Sequence, residues 1–257
     1  MLPIDLQIIK YFFFEKPIYH FKMRPYFKWS AYQELNDALL KFQKEDSLES
    51  SKLDNTPFTI FDLETTGLIP EVGHEVISIG AIQLHGLQHC RVEKFHEIIR
   101  PIRPVPNNIS DLTGIEHEDI KNARPFIEVF QRFLEFSKDS ILVAHPAKFD
   151  MRFLQTMLKR WRLPSYDPYV IDSQLMARWL LPGVNDQLDQ LMKYYSIEQL
   201  ERHHALNDAI MTAELFEILL EQTIQSNINT YTGLDNVLTP FKLNRHPAMK
   251  YYNKDWS

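Results

Sequence analysis

With 257 residues, 44% of them hydrophobic and 24% charged, the chain has the composition of one sizeable globular domain with appendages, or of two small ones. Its single cysteine, Cys90, excludes an internal disulfide and a cysteine-built zinc cluster. A formal net charge of −6 argues against a passive module that holds nucleic acid through phosphates alone.

The apolar stretch from Leu6 to Phe14 is broken by Lys10 and is too short to cross a bilayer. The start, Met1-Leu2-Pro3-Ile4-Asp5, carries an acid where a signal peptide would carry a base. Both features point to a cytoplasmic protein with no membrane partner. Residues 1–55 read as an N-terminal extension and linker. Within them, 30–43 are predicted helical, with Ser30 as N-cap and Tyr32, Leu35, Leu39, Leu40 and Phe42 as a stripe. The polar run from Glu45 to Lys52 predicts an exposed loop.

Residues 56–222 alternate strand and helix patterns. Phe58 to Leu63, Glu75 to Leu84 and Arg91 to Arg100 predict an antiparallel meander. Pro125 opens a helix carrying Phe126, Val129, Phe130, Phe133 and Leu134 on one side. Ile141 to Ala144 predicts a strand. A helix from Phe149 to Trp161 follows, then a short strand at Tyr169 to Ile171 and helices near 187–195 and 205–222. Strands first, then alternation, predict an α/β layer fold with a mixed sheet. Residues 223–257 read as an extended C-terminal tail anchored at Thr239-Pro240, His246-Pro247 and Tyr251-Tyr252.

Chemistry concentrates in three places. Asp62 and Glu64 end the first strand; residues two apart in a strand share a face, about 6.5–7 Å apart. Phe58 and Ile60 share that face, so it runs from the core to a polar edge. Thr65-Thr66-Gly67 then turns the chain, with N–H and hydroxyl groups to offer. Asp150 starts a helix, where the dipole favours an acid. Asp208 lies early in the last helix beside Ala205, Ala209 and Ala213, small residues that let a helix approach a sheet closely. Four carboxylates in one place repel one another unless cations sit between them, and oxygen ligands suit Mg2+ or Mn2+. His203 and Asp208 would stand roughly 140° apart on a helix, so His203 projects from the preceding loop, where an imidazole could deprotonate water. Spacing alone does not separate it from His204.

Taken together, Phe61-Asp62-Leu63-Glu64-Thr65-Thr66-Gly67, the segment Val143 to Asp150 with Phe153-Leu154, and Arg202-His203-His204-Ala205-Leu206-Asn207-Asp208-Ala209 resemble the DEDDh branch of the 3′–5′ exonucleases. Glu75 to Gly80, Leu112-Thr113-Gly114-Ile115 and Ile171-Asp172-Ser173 are similar as well. The likeness is greatest to proofreading exonucleases of the kind that serve bacterial DNA polymerase III as its epsilon subunit. It covers residues 56–222 and implies a ribonuclease H-like, five-stranded mixed sheet flanked by helices. It implies two Mg2+ or Mn2+ ions held by Asp62, Glu64, Asp150 and Asp208, with His203 as the base and His204 as the variable neighbour. It also implies substrate contacts from Leu63, Thr65, Thr66, Gly67, Leu68, His145 and Phe149. Pro146 stands where the family usually has Asn.

The expected substrate is a nucleic acid 3′ end, single-stranded or frayed DNA, cut to 5′-mononucleotides. An RNA-trimming enzyme on the same fold and a nearly silent polymerase-associated subunit are the alternatives; the complete acidic set weighs against the latter. The terminal extensions leave room for a polymerase or another protein partner.

Overall fold

The computed structural model describes residues 4–88 and 93–243. An N-terminal helical run comprises α1 (Ile4–Lys10), a π-helical turn (Tyr11–Glu15) and α2 (Lys16–Met23). It is followed by α3 (Ser30–Lys41) and the single turn α4 (Ser47–Ser50). Then come β1 (Pro57–Thr65), β2 (Val76–His85) and β3 (Lys94–Arg100). Helices α5 (Asn107–Thr113) and α6 (His117–Asn122) lead to β4 (Arg124–Pro125) and α7 (Phe126–Phe136). The chain continues through β5 (Ile141–Ala144), α8 (Ala147–Arg160), β6 (Val170–Asp172), α9 (Ser173–Leu180) and α10 (Leu188–Tyr194). It closes with α11 (Ala205–Gln225) and α12 (Tyr231–Leu243).

The sheet order is β4-β3-β2-β1-β5-β6. The meander β1–β2–β3 is antiparallel, whereas β5 and β6 add on parallel to β1. Six strands replace the expected five because Arg124 and Pro125 pair with the edge of β3. A two-residue strand leaves no alternation to read. Alternation along β1 divides the core. Phe61 and Leu63 face one layer with α7 and α8, and Phe58 and Ile60 face the other with α9 and α11.

The extension shares the first of these layers: Tyr11, Tyr19, Met23, Leu35 and Leu39 are buried in it. Trp29, not Ser30, occupies the N-cap of α3, and Leu40 is exposed while Phe42 caps the helix. The 45–52 run is not all loop, since Leu48 buries itself from α4. The tail is helical rather than extended as far as Leu243. Leu234 and Leu238, four apart, pack into the second layer and hold α12 despite Pro240. Cys90, the Arg91–Val92 start of the third expected strand, and the His246-Pro247 and Tyr251-Tyr252 anchors lie outside the described residues. Among the described residues no helix is long and apolar enough to cross a membrane.

Candidate active site

The central strand sets the site. On β1, Asp62 stands opposite Gly80 and Glu64 opposite Ser78 of β2. The N-terminus of α11 rests directly on this pair of strands. A Cβ added at Gly80 would lie 2.2 Å from the backbone of Ala205 and Leu206. Ala205, Ala209 and Ala213 are all buried beneath the helix. Glycine on the strand and alanines on the helix thus permit a near-contact of backbones, and Asp208, the fourth residue of α11, is carried to the end of β1. Carboxylate oxygens of Asp62, Glu64 and Asp208 consequently lie within 4.8 Å of one another.

Asp150 is the fourth residue of α8 and is buried, but it stands outside that group of three. The backbone N–H groups of Asp150 itself and of Leu63 on β1 oppose the rise that burial causes in its pKa. Asp150 still acts on the centre, because its charge raises the pKa of Asp62. Pro146 takes the N-cap of α8, and its carbonyl oxygen accepts the N–H of Phe149 at 3.0 Å, so the helix begins in register for Asp150 without the usual Asn.

Electrostatically the site is frustrated. Burial, then the charges of Asp208, Asp150 and Glu64, pushes Asp62 well above the carboxylate range. Burial and then Asp208 lift Glu64 to about 8. Asp150 and Asp208 are also raised, each chiefly by burial. Among the described residues Arg202 is the main cation opposing this at Asp208. Arg202 bonds Asp208 through Nη1 and pairs with Asp189 of α10 through Nε at 2.7 Å. An all-oxygen donor set that resists ionisation in its own company fits hard divalent cations, which remove the repulsion.

The two histidines part company here. His204 is the N-cap of α11: its Nδ1 accepts the N–H of Asn207 at 3.4 Å, and its ring lies 4.5 Å from that of His96 on β3. His203 sits in the loop with φ +62°, and its backbone N–H donates to Asp208 Oδ2 at 3.1 Å. Its charge acts on Asp208.

Several expected substrate contacts are redirected. Both ring nitrogens of His145 are engaged inside the protein, Nδ1 with Ser173 Oγ at 3.0 Å and Nε2 with the carbonyl of Asp186 at 2.9 Å. Burial lowers its pKa to about 4. His145 therefore ties β5 to α9 instead of reaching a ligand. The Leu63 side chain is in the core. Thr65 donates its hydroxyl to the carbonyl of Gly67 at 2.9 Å, and Thr66 Oγ1 accepts the N–H of Glu75 at 2.9 Å, so these hydroxyls build the turn. Gly67 has φ +150° and a Cβ there would meet the His74 ring at 2.6 Å, which only glycine avoids. Leu68 and Phe149 remain partly exposed.

Three supporting residues were quoted in the family-like segments without a role of their own. Asp172 caps α9 by accepting Leu175 N–H at 3.1 Å and also accepts Lys148 N–H at 3.3 Å, which ties the starts of α8 and α9 together. Gly80 had a signal, since a glycine inside a strand marks close approach. Arg202 had none, because its partner Asp189 lies on another helix.

Comparison with known proteins agrees with this geometry. The exonuclease family model RNase_T matches residues 59–216. DNA polymerase III PolC-type of Thermotoga petrophila is 34% identical over 187 residues, which is 73% of this chain but 14% of that protein. The PolC-type polymerase of Streptococcus mutans is 35% identical over 188 residues, 72% of this chain and 12% of that protein. The chain thus matches only about an eighth to a seventh of the length of these relatives. The nuclease domain of 3′hExo, a DEDDh family member bound to rAMP, superposes with a TM-score of 0.58 at 20% identity, covering 65% of this chain and 93% of that one. Escherichia coli exonuclease I in complex with a dT13 oligonucleotide superposes with a TM-score of 0.57 at 17% identity, covering 66% and 42%. The chain belongs to the exonuclease family.

Proposed function

We propose that this protein is a metal-dependent 3′–5′ exonuclease that releases 5′-mononucleotides from single-stranded or frayed DNA ends, in proofreading or repair. The observation that carries the reading is the convergence of Asp62, Glu64 and Asp208 oxygens within 4.8 Å, with Asp150 acting on them from α8. Asp62, Glu64, Asp150 and Asp208 would hold two Mg2+ or Mn2+ ions, which when bound supply Lewis-acid polarisation and counter-charge for a phosphoryl centre. His203 takes the proton of the attacking water, a task that suits an imidazole near neutral pH. His204 is held in a cap and a ring contact and serves to start α11. Leu68 and Phe149 flank the terminal nucleotide. The PolC-type relatives support DNA as substrate and a polymerase as partner.

The test is mononucleotide release from a 5′-labelled oligonucleotide with Mg2+ or Mn2+, with and without chelator. Release that is metal-dependent, runs from the 3′ end and is lost in Asp62→Ala supports the reading; an unchanged rate in Asp62→Ala removes it. Competing DNA and RNA oligomers decide the sugar, because carboxylates do not read a 2′-hydroxyl.

A further inference from the structure

Residues 66–75 leave the acidic centre at Thr66 and re-enter the sheet at Glu75; Thr66 N–H bonds the Glu75 carbonyl at 2.8 Å. The outer side of this loop is covered by the N-terminal helical run. Tyr11 and Tyr19 close over Gly73, where an added Cβ would lie 2.6 Å from the Tyr11 ring. Arg160 donates to the carbonyls of His74, at 3.1 Å, and Pro70, and its guanidinium lies 6.0 Å from the Tyr11 ring centre. Glu15 pairs with Arg103 at 3.5 Å, beside the Arg103 N–H that Glu75 accepts at 2.9 Å. The buried stripe Tyr11, Tyr19 and Met23 thereby fastens the run to the wall of the active site.

The rest of its surface has another character. Phe13, Phe14 and Phe21 are 74%, 68% and 71% exposed, with Phe12 and Trp29 exposed beside them. Exposed Lys16, Lys22, Arg24 and Lys28 interleave with these rings. Up to residue 28 the chain carries Lys10, Lys16, Lys22, Arg24 and Lys28 against Asp5 and Glu15, whereas the remainder has nine more acids than bases. The arm is thus the basic part of an acidic protein.

We propose that this arm is a track for the single strand upstream of the 3′ end, its rings stacking on bases and its lysines facing phosphates. The inference rests on the exonuclease reading for the strand's direction. Two observations choose this occupant: the arm's charge is opposite to that of the body and of nucleic acid, and the arm is continuous with the loop that bounds the acids. Single strands are specified because only they offer free base faces to stack on.

The test uses the full chain and two variants changed at exposed positions, Phe13→Ser/Phe14→Ser/Phe21→Ser and Lys16→Glu/Lys22→Glu. Fluorescence anisotropy with 5′-fluorescein dT20, in chelator, should show binding at least about tenfold weaker in each variant, and a salt slope lower by about 1.4 for the lysine pair. With Mn2+, KM for dT20 should rise about tenfold, while kcat and the rate on dT4 stay unchanged. Affinity for dT20 within twofold of wild type in both variants overturns the proposal. So does co-sedimentation with phosphatidylglycerol vesicles, or dimerisation on ultracentrifugation, that the variants abolish while dT20 binding persists. If the phenylalanine variant loses its thermal transition, the lysine variant decides alone. Arm-dependent dT20 binding without nucleotide release keeps the arm and removes the nuclease reading; an active enzyme indifferent to the arm does the reverse.

Discussion

Loop 66–75 separates two regions that are built on opposite principles. On its inner side, carboxylates of Asp62, Glu64 and Asp208 are forced together by backbone contact at Gly80 and Ala205; burial raises the pKa of each, and neighbouring acids raise Asp62 and Glu64 further. On its outer side, the arm buries Tyr11, Tyr19 and Met23 in the core, packs Tyr26 and Phe27 against it, and leaves phenyl rings and lysines in solvent. The inner region spends folding energy to concentrate like charge. The outer region puts apolar area into solvent to present a surface. The difference teaches that the inner residues answer to substitution through geometry and charge, whereas the outer ones answer through affinity alone.

Substitutions that enter the inner region should be the most damaging. Asp62→Ala or Asp208→Ala should lower mononucleotide release at least about a thousandfold, because each removes a ligand to the proposed ions. In metal-free buffer Asp62→Ala should melt no lower than wild type, since an acid crowded by other acids has gone, whereas Asp208→Ala also loses its bonds to Arg202 and to the His203 N–H. A melting point several degrees lower in Asp62→Ala would show that this acid is structural and would erase the contrast with the arm.

Histidine substitutions come next and should separate neighbouring residues. His203→Ala should cut kcat about a hundredfold or more, as loss of a positioned base does. His204→Ala should mainly cost about 0.5–2 kcal/mol of stability, the usual worth of an N-cap. Rates and denaturant midpoints measured on both variants check this; equal losses of kcat would break the assignment.

Gly80→Ala tests the close approach itself. An added methyl group must push α11 from β2, at a cost of about 1–3 kcal/mol. A shift of about 1 Å in Asp208 could remove up to about a hundredfold in rate. Metal affinity by Mn2+ titration should fall with it, and an unchanged affinity would mean that the helix accommodates the methyl without moving Asp208.

The last effect concerns pH and leaves the metal-loaded enzyme untouched. Glu64 is held at about 8 in the folded protein, against 4.5 for the free group. A folded pKa above the unfolded one means that the neutral acid suits the fold. Its contribution is full below about pH 4.5 and is lost as pH rises toward about 8. Chelated wild type should therefore lose about 1–3 kcal/mol relative to Glu64→Gln across that window. Saturating Mn2+ should restore it. The arm variants keep Glu64 and should follow the wild-type pH dependence, which sharpens the comparison between the two faces of the loop.

Much of the site was legible because its residues are local to their elements. The i, i+2 spacing of Asp62 and Glu64 put both on the face shared with Phe58 and Ile60, as found. The alanines of α11 announced a close contact, and the loop position of His203 followed from its offset to Asp208. Illegible features depend on partners distant in the chain. The resemblance implied a substrate contact from His145, yet its nitrogens are taken by Ser173 and Asp186. Thr65 and Thr66 read as donors to a nucleotide, yet the turn consumes their hydroxyls. The helical tail was hidden by Pro240, because the burial of Leu234 and Leu238 outweighs one lost hydrogen bond.

The sequence by itself determined the type of chemistry, since four acids and a histidine in three motifs admit few uses. It determined the layered fold as well, through strand alternation and helical stripes. Only the tertiary structure decided that three of the acids meet while Asp150 stands outside that group, that Arg202 tempers the cluster, and that the N-terminal helices pack on the outer side of loop 66–75. The physical reason is range. Periodicity and charge are written along a segment, but contact between segments depends on how closely their backbones can pack.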